Sequence, residues 1–210
     1  DWDDRPPAPD VTTNYMVKPP FIDPLPSPSI QPRDVTDNQQ HVFGKACLYQ
    51  VGFGVRDDDA GSAADSVSVL ITGNASQFRS AGYWYQQYRG GPSRKISAET
   101  LACYLTMVDH VSAVFDEVTN ASTFATAVNV LKASAKNAYE QFDRQLLAAW
   151  LNLANGAVDL DTLVDTNGNG VVDTAYYDVL RTAELVRLNP ASTRTQVLAQ
   201  KDILDRLNDS

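Results

Sequence analysis

Two histidines and two cysteines are all that these 210 residues contain of either type, and the shortage closes several classes of function. A common structural zinc site takes four nitrogen or sulfur ligands. Cys47 and Cys103 are too few for one, and His41 and His110 lack metal-ligand spacing. General-base chemistry at neutral pH has few candidates, since His41 precedes a strand pattern and His110 flanks a helix pattern. Gly-x-Ser-x-Gly, His-Glu-x-x-His and phosphate-cradling glycine motifs are missing, as is any Ser/His/Asp order. The chain carries 26 acidic residues, so carboxylate pairs can always be assembled and decide nothing. The sequence therefore predicts no enzyme. Positive charge is also short, at 17 Lys and Arg against those 26, for a net charge of −9. That balance argues against nucleic acid or anionic membrane as partner, because both are polyanions. No apolar run approaches the roughly 20 residues of a spanning helix. The chain opens on Asp1-Trp2-Asp3-Asp4 without an initiator methionine, as expected of a processed segment.

What is present falls into three regions: residues 1–40, 41–80 and 81–210. Nine of the eleven prolines lie in the first, in "DRPPAP", "KPPFIDPLPSPS" and "IQPRD". Proline removes donors and pushes its neighbours to extended conformations, so this arm should lie extended along a surface. Tyr15, Met16, Val17, Phe21, Ile22 and Leu25 give it apolar anchors. Residues 41–80 switch to a period of two. Cys47, Tyr49, Val51, Phe53 and Val55 share one strand face, and Val67, Val69 and Ile71 one face of a second strand. The polar "RDDDAGSAAD" between them reads as the turn of a hairpin.

From residue 97 the period is helical. Ser97 caps a predicted helix carrying Leu101 to Val118, Ser122 caps one through Leu131, and "NAYEQFDRQLLAAWLNLANG" gives a third, ending at Gly156 as a left-handed cap. A fourth runs from Thr174 to Leu188, and Ser192 caps the last through Leu207. The cysteines admit two readings, a pair of buried thiols or one disulfide.

"DTNGNGVVD", Asp165–Asp173, has the spacing of an EF-hand-type loop. Side-chain oxygens stand at positions 1, 3, 5 and 9 (Asp165, Asn167, Asn169, Asp173), the Val171 carbonyl at 7, and Gly170 at the turn. Hard oxygen donors without nitrogen or sulfur select Ca2+. Position 12 is Tyr176 rather than glutamate, so Asp161 or Asp159 is the candidate to complete the shell. No helical run enters the loop, which makes it similar to dockerin and thrombospondin-type loops. Few formal charges predict a dissociation constant on the order of 10⁻⁴–10⁻³ M. An unliganded Asx-rich turn is the alternative. A second candidate is "GYWYQQYRGG", where Tyr83, Trp84, Tyr85 and Tyr88 form either a sugar-stacking platform or a packing core. Asn74, Asn120 and Asn208 head glycosylation tripeptides.

"YQVGFGVRDDDAGSAADSVSVLITGN" resembles the closing strands of a polycystic-kidney-disease-type (PKD) domain, an immunoglobulin-like β-sandwich of extracellular proteins. The family's Trp-Asp-Gly-Asp-Gly segment is not intact, and "DWDD" stands as its remnant, which would leave the first strands of the sandwich absent. "SAGYWYQQYR", "LLAAWLNLANGA" and "QKDILDRLN" resemble a helical module that follows such domains in large secreted bacterial proteins. The resemblance implies an α+β chain: a partial PKD-like sandwich, then a bundle of about five helices with an inserted calcium loop. It also implies an extracellular, secreted or cell-surface setting, and with it the Cys47–Cys103 disulfide. The expected function is a non-catalytic structural or adhesion module, joining copies into a homo-oligomer or filament by strand complementation. The alternative is a carbohydrate-binding accessory module of a secreted enzyme.

Overall fold

The computed structural model describes residues 38–56, 61–132 and 137–210. The expectations for the arm, including its apolar anchors from Tyr15 to Leu25, lie outside these except for residues 38–40. The chain is α+β, with seven α-helices and two small antiparallel sheets among the described residues. By their packing these residues form two units, one of 38–44 and 49–69, the other of 45–48 and 70–210. The second unit thus takes in residues that the sequence boundary at 80 assigns to the β region.

β1 (Cys47–Arg56) and β2 (Ser62–Ile71) form the expected hairpin. β2 starts earlier than its valine alternation indicates, because Ser62 to Asp65 extend the ladder. Gln50 locks the strands by donating to Ser66 Oγ at 2.8 Å and accepting from Ser68 Oγ at 3.0 Å. An immunoglobulin-like sandwich needs two facing sheets. Among the described residues the only other sheet pairs β3 (Leu163–Val164) with β4 (Thr174–Ala175), so the sandwich expectation reduces here to one hairpin.

The helical unit is built around α5 (Ala138–Ala154), which is buried nearly all round, including every residue from Gln145 to Ala154. A helix without a polar face must be surrounded. α1 (Ala81–Arg89), α2 (Ala98–Val111), α4 (Phe124–Leu131), α6 (Tyr176–Leu188) and α7 (Arg194–Asn208) all pack on it. Its end is a Schellman turn: Ala157 N–H donates to the Asn152 carbonyl and Gly156 N–H to that of Leu153, with Gly156 at φ +77°.

The five helices of the sequence become seven for two local reasons. The expected run from 98 to 118 breaks at buried Ser112, which ends α2 and caps α3 (Ala113–Glu117) by accepting from Phe115 N–H. α1 was not expected at all. Ser80 caps it, Gly90 at φ +82° closes it, and Ala81, Trp84 and Tyr88 form its buried stripe. Elsewhere the caps move by one residue, to Thr123 and Thr193, each of which forms a reciprocal capping box with the residue three positions on.

Cys47 and Cys103 form a disulfide, with their Cα atoms 4.7 Å apart. This selects the bonded reading over two free thiols.

Candidate metal centre

The Asp165–Asp173 loop leaves β3 at Val164 and returns through β4 at Thr174, which pair directly. The antiparallel bridge takes the place of an entering helix and fixes both ends of the loop. Inside it, Asp165 is the organiser. Its Oδ1 accepts from the Asn167 and Gly168 amides at 3.1 and 2.7 Å, and its Oδ2 from Gly170 N–H at 2.7 Å. Gly168 and Gly170 turn the chain at φ +77° and +81°, a conformation that costs glycine nothing extra. Two Asx turns continue the pattern, Asn167 Oδ1 accepting from Asn169 N–H and Asn169 Oδ1 from Val171 N–H. From outside, Arg206 of α7 donates to the Thr166 carbonyl at 2.6 Å and ties the loop to the helical unit.

These amide bonds, led by that from Gly170, hold the Asp165 carboxyl below the ordinary aspartate value of 3.8. A group with a lowered folded value contributes stability above the unfolded value and loses it as pH falls through the folded one. The stability this carboxylate contributes is therefore present at neutral pH and is lost in acid.

The donor set fits a hard cation. A carboxylate or amide oxygen that accepts one hydrogen bond keeps a second acceptor position, and this holds for Asp165 Oδ2, Asn167 Oδ1 and Asn169 Oδ1. Asp173 accepts from Thr174 Oγ1 through Oδ1, leaving its second oxygen as a further donor for a cation. Val171, whose carbonyl the loop spacing offers as a fifth oxygen, is exposed. Among the described residues no three His, Cys, Asp or Glu side chains gather as a metal group. A loop of two aspartates, two asparagines and one carbonyl does not require such a group. Asp159 and Asp161 lie exposed in the turn before β3. Tyr176, at the twelfth position, is fully buried, and its hydroxyl donates to the Ala149 carbonyl at 3.0 Å. Burial pushes that phenol far up. Position 12 serves the core, not a metal.

The sugar-stacking expectation for Tyr83, Trp84 and Tyr88 is corrected by burial. Stacking needs an open ring face, and Trp84 is 0% and Tyr88 2% exposed. Trp84 Nε1–H donates to Asn152 Oδ1, Tyr88 stacks edge-on against Phe124, and the partly buried Tyr83 carries Arg79 over its ring. The spacing of 81, 84 and 88 was the available signal, since it is the stripe of a core helix. Asn208, the third glycosylation candidate, is also buried and donates to Gln145, whereas Asn74 and Asn120 are exposed.

Sequence reasoning missed two acidic centres inside the helical unit. Glu184 accepts from Ser112 Oγ, Trp150 Nε1–H and Val114 N–H, bracing the α2–α3 break against α5 and α6. Asp143 holds Arg187 through both carboxylate oxygens and accepts from Thr119 Oγ1. Among the described residues no buried side-chain nitrogen or oxygen is left unpaired. Both centres read as satisfied braces, with no reactive group held in reserve. An apolar recess lined by Leu70, Met107, Val108, Val111, Trp150, Leu153 and Ala154 has no titratable group in its wall. No helix among the described residues is long and apolar enough to cross a membrane. Compared with known proteins, the chain matches no family model, no curated protein and no solved structure.

Proposed function

We propose that this chain is a non-catalytic, extracellular structural module whose helical unit is stapled by calcium and by one disulfide. The observation that carries the reading is the Asp165 loop: a charged carboxylate folds the backbone through three amides while amide and carboxylate oxygens remain for a cation. Asp165, Asn167, Asn169, Asp173 and the Val171 carbonyl would hold the ion, with Asp161 or water completing the shell. Calcium there supplies no chemistry beyond neutralising the loop and fixing its shape. With calcium at 100 times its dissociation constant, the folded state gains about 2.7 kcal/mol. Thermal unfolding should therefore move up on adding calcium and back on chelation, and Asp165→Ala should remove most of the difference. Superimposable melting curves with calcium and with chelator would sink the reading.

The finer part of the proposal is assembly. Phe53, Val55 and Val67 of the hairpin are more than half exposed. Exposed strand edges with apolar side chains template pairing with other chains. The strands that would complete an immunoglobulin-like sandwich come, on this reading, from the proline-rich arm of the same or another copy, the second case giving head-to-tail association. Removing residues 1–32 should abolish self-association in sedimentation while the helical circular-dichroism signal and its melting persist. A full-length chain that stays monomeric at high concentration would refute the polymer.

A further inference from the structure

The sequence holds three Asn–Gly bonds: Asn155–Gly156, Asn167–Gly168 and Asn169–Gly170. Glycine offers no side chain to hinder its own nitrogen. When that nitrogen is unengaged, it attacks the side-chain carbonyl carbon of the preceding asparagine. The new C–N bond closes a succinimide ring, the N–H proton passes to solvent base, and the amide nitrogen takes up a proton and leaves as ammonia. Water then adds across either ring C–N bond and gives aspartate or isoaspartate. The reaction needs only water, and its rate depends on whether the glycine nitrogen is held.

All three nitrogens are held, but in different ways. Gly156 N–H donates to the Leu153 carbonyl inside the Schellman turn, and Asn155 Oδ1 accepts from the Tyr104 hydroxyl at 3.0 Å. That site is part of the α5 terminus. Gly168 and Gly170 have a different guard. Both donate at 2.7 Å to one side chain, the carboxylate of Asp165, within a loop where Asn167 and Asn169 are exposed. The protection of two reactive bonds rests on a single residue.

We propose that Asn167 and Asn169 are conditional deamidation sites which the Asp165 carboxylate keeps unreactive. When the loop opens and that carboxylate lets go, both bonds become competent for succinimide formation. The product places a carboxylate at position 3 or 5 of the loop, or inserts an extra backbone atom as isoaspartate and breaks the Asx-turn register. Loop opening is thereby written irreversibly into the chain. The inference stands on hydrogen bonds to glycine nitrogens and holds whether or not a metal is bound.

The test is peptide-mapping mass spectrometry during incubation at mildly alkaline pH with chelator present throughout, following all three asparagines separately. Each event adds one dalton, and isoaspartate separates by retention time. In the wild-type chain all three should react slowly when folded and much faster in denaturant. Asp165→Ala should speed Asn167 and Asn169 about tenfold or more in the folded protein, the worth of a charge-assisted hydrogen bond. Asn155 should stay slow and so report that the fold is intact. Should Asn155 accelerate as well, Asp165→Asn, which keeps one acceptor oxygen and loses the other, should speed at least one of Asn167 and Asn169 while Asn155 stays slow. Folded wild-type protein reacting at Asn167 and Asn169 at the denatured rate would overturn the proposal. So would a folded Asp165 variant in which both stay slow.

Discussion

Replacing Gly156 by alanine is expected to destabilise the helical unit by about 3–4 kcal/mol, a loss that few single substitutions reach. Two penalties combine. At φ +77° any side chain is strained, at a cost of roughly 1–2 kcal/mol. The added carbon would also lie 2.0 Å from the Gly73 carbonyl oxygen and 2.8 Å from the Asn74 nitrogen. Both neighbours are backbone, so relief requires the segment after β2 to lift off the α5 terminus. That segment donates Gly73 N–H to the Ala154 carbonyl and Ala75 N–H to the Asn155 carbonyl. Lifting it exposes the last carbonyls of α5, at about 1 kcal/mol per lost bond. Urea unfolding of Gly156→Ala measures the total. Gly170→Ala is the control: its φ is +81°, but nothing lies within 4 Å of the added carbon, so only the backbone strain of about 1–2 kcal/mol applies. Equal losses in the two variants would show that the crossing at Gly73 carries no weight.

The contrast between these glycines marks what a sequence can disclose. Gly156 was legible as a left-handed cap, since the helical pattern of residues 137–156 ends there and the cap is a local event. Its crossing with Gly73 was not, because that contact joins positions far apart in sequence and no periodicity records it. The turn pattern of the Asp165–Asp173 loop was legible for the same reason as the cap. Asp165, Asn167 and Asn169 bond to amides two to five residues on, so spacing alone encodes the fold of the loop. Ser112 shows the opposite case. Its apolar neighbours continue the helical period, and the break is braced by Glu184, which lies 72 residues later. The aromatic cluster misled through the same gap, since Trp84 is a polar-tipped ring whose partner, Asn152, is supplied by another helix. Local chemistry was readable; long-range burial was not.

Loss of the Cys47–Cys103 bond, by Cys103→Ser or by reductant, is expected to cost on the order of 4 kcal/mol. The two cysteines are separated by 56 positions. In the chain-entropy account a closed loop of that size restricts the unfolded chain strongly. Cys47 is the first residue of β1 and Cys103 lies early in α2. Two further ties of residues 45–48 to the helical unit are weaker than this bond. Lys45 pairs with Glu99, but both side chains are more than 60% exposed, and such surface pairs contribute about 0–1 kcal/mol. Ala46 and Leu48 are only partly buried against the helical core. The covalent bond is therefore stronger than either of these ties, and Cys103→Ser should lower the urea midpoint as far as reduction of the native chain does. A midpoint that reductant moves but Cys103→Ser does not would trace the effect to something other than this bond. Two thiols titrating in the denatured, unreduced protein would remove the bond altogether. With it would go the argument for an oxidising compartment, because disulfides of this kind persist where thiols are not continually reduced.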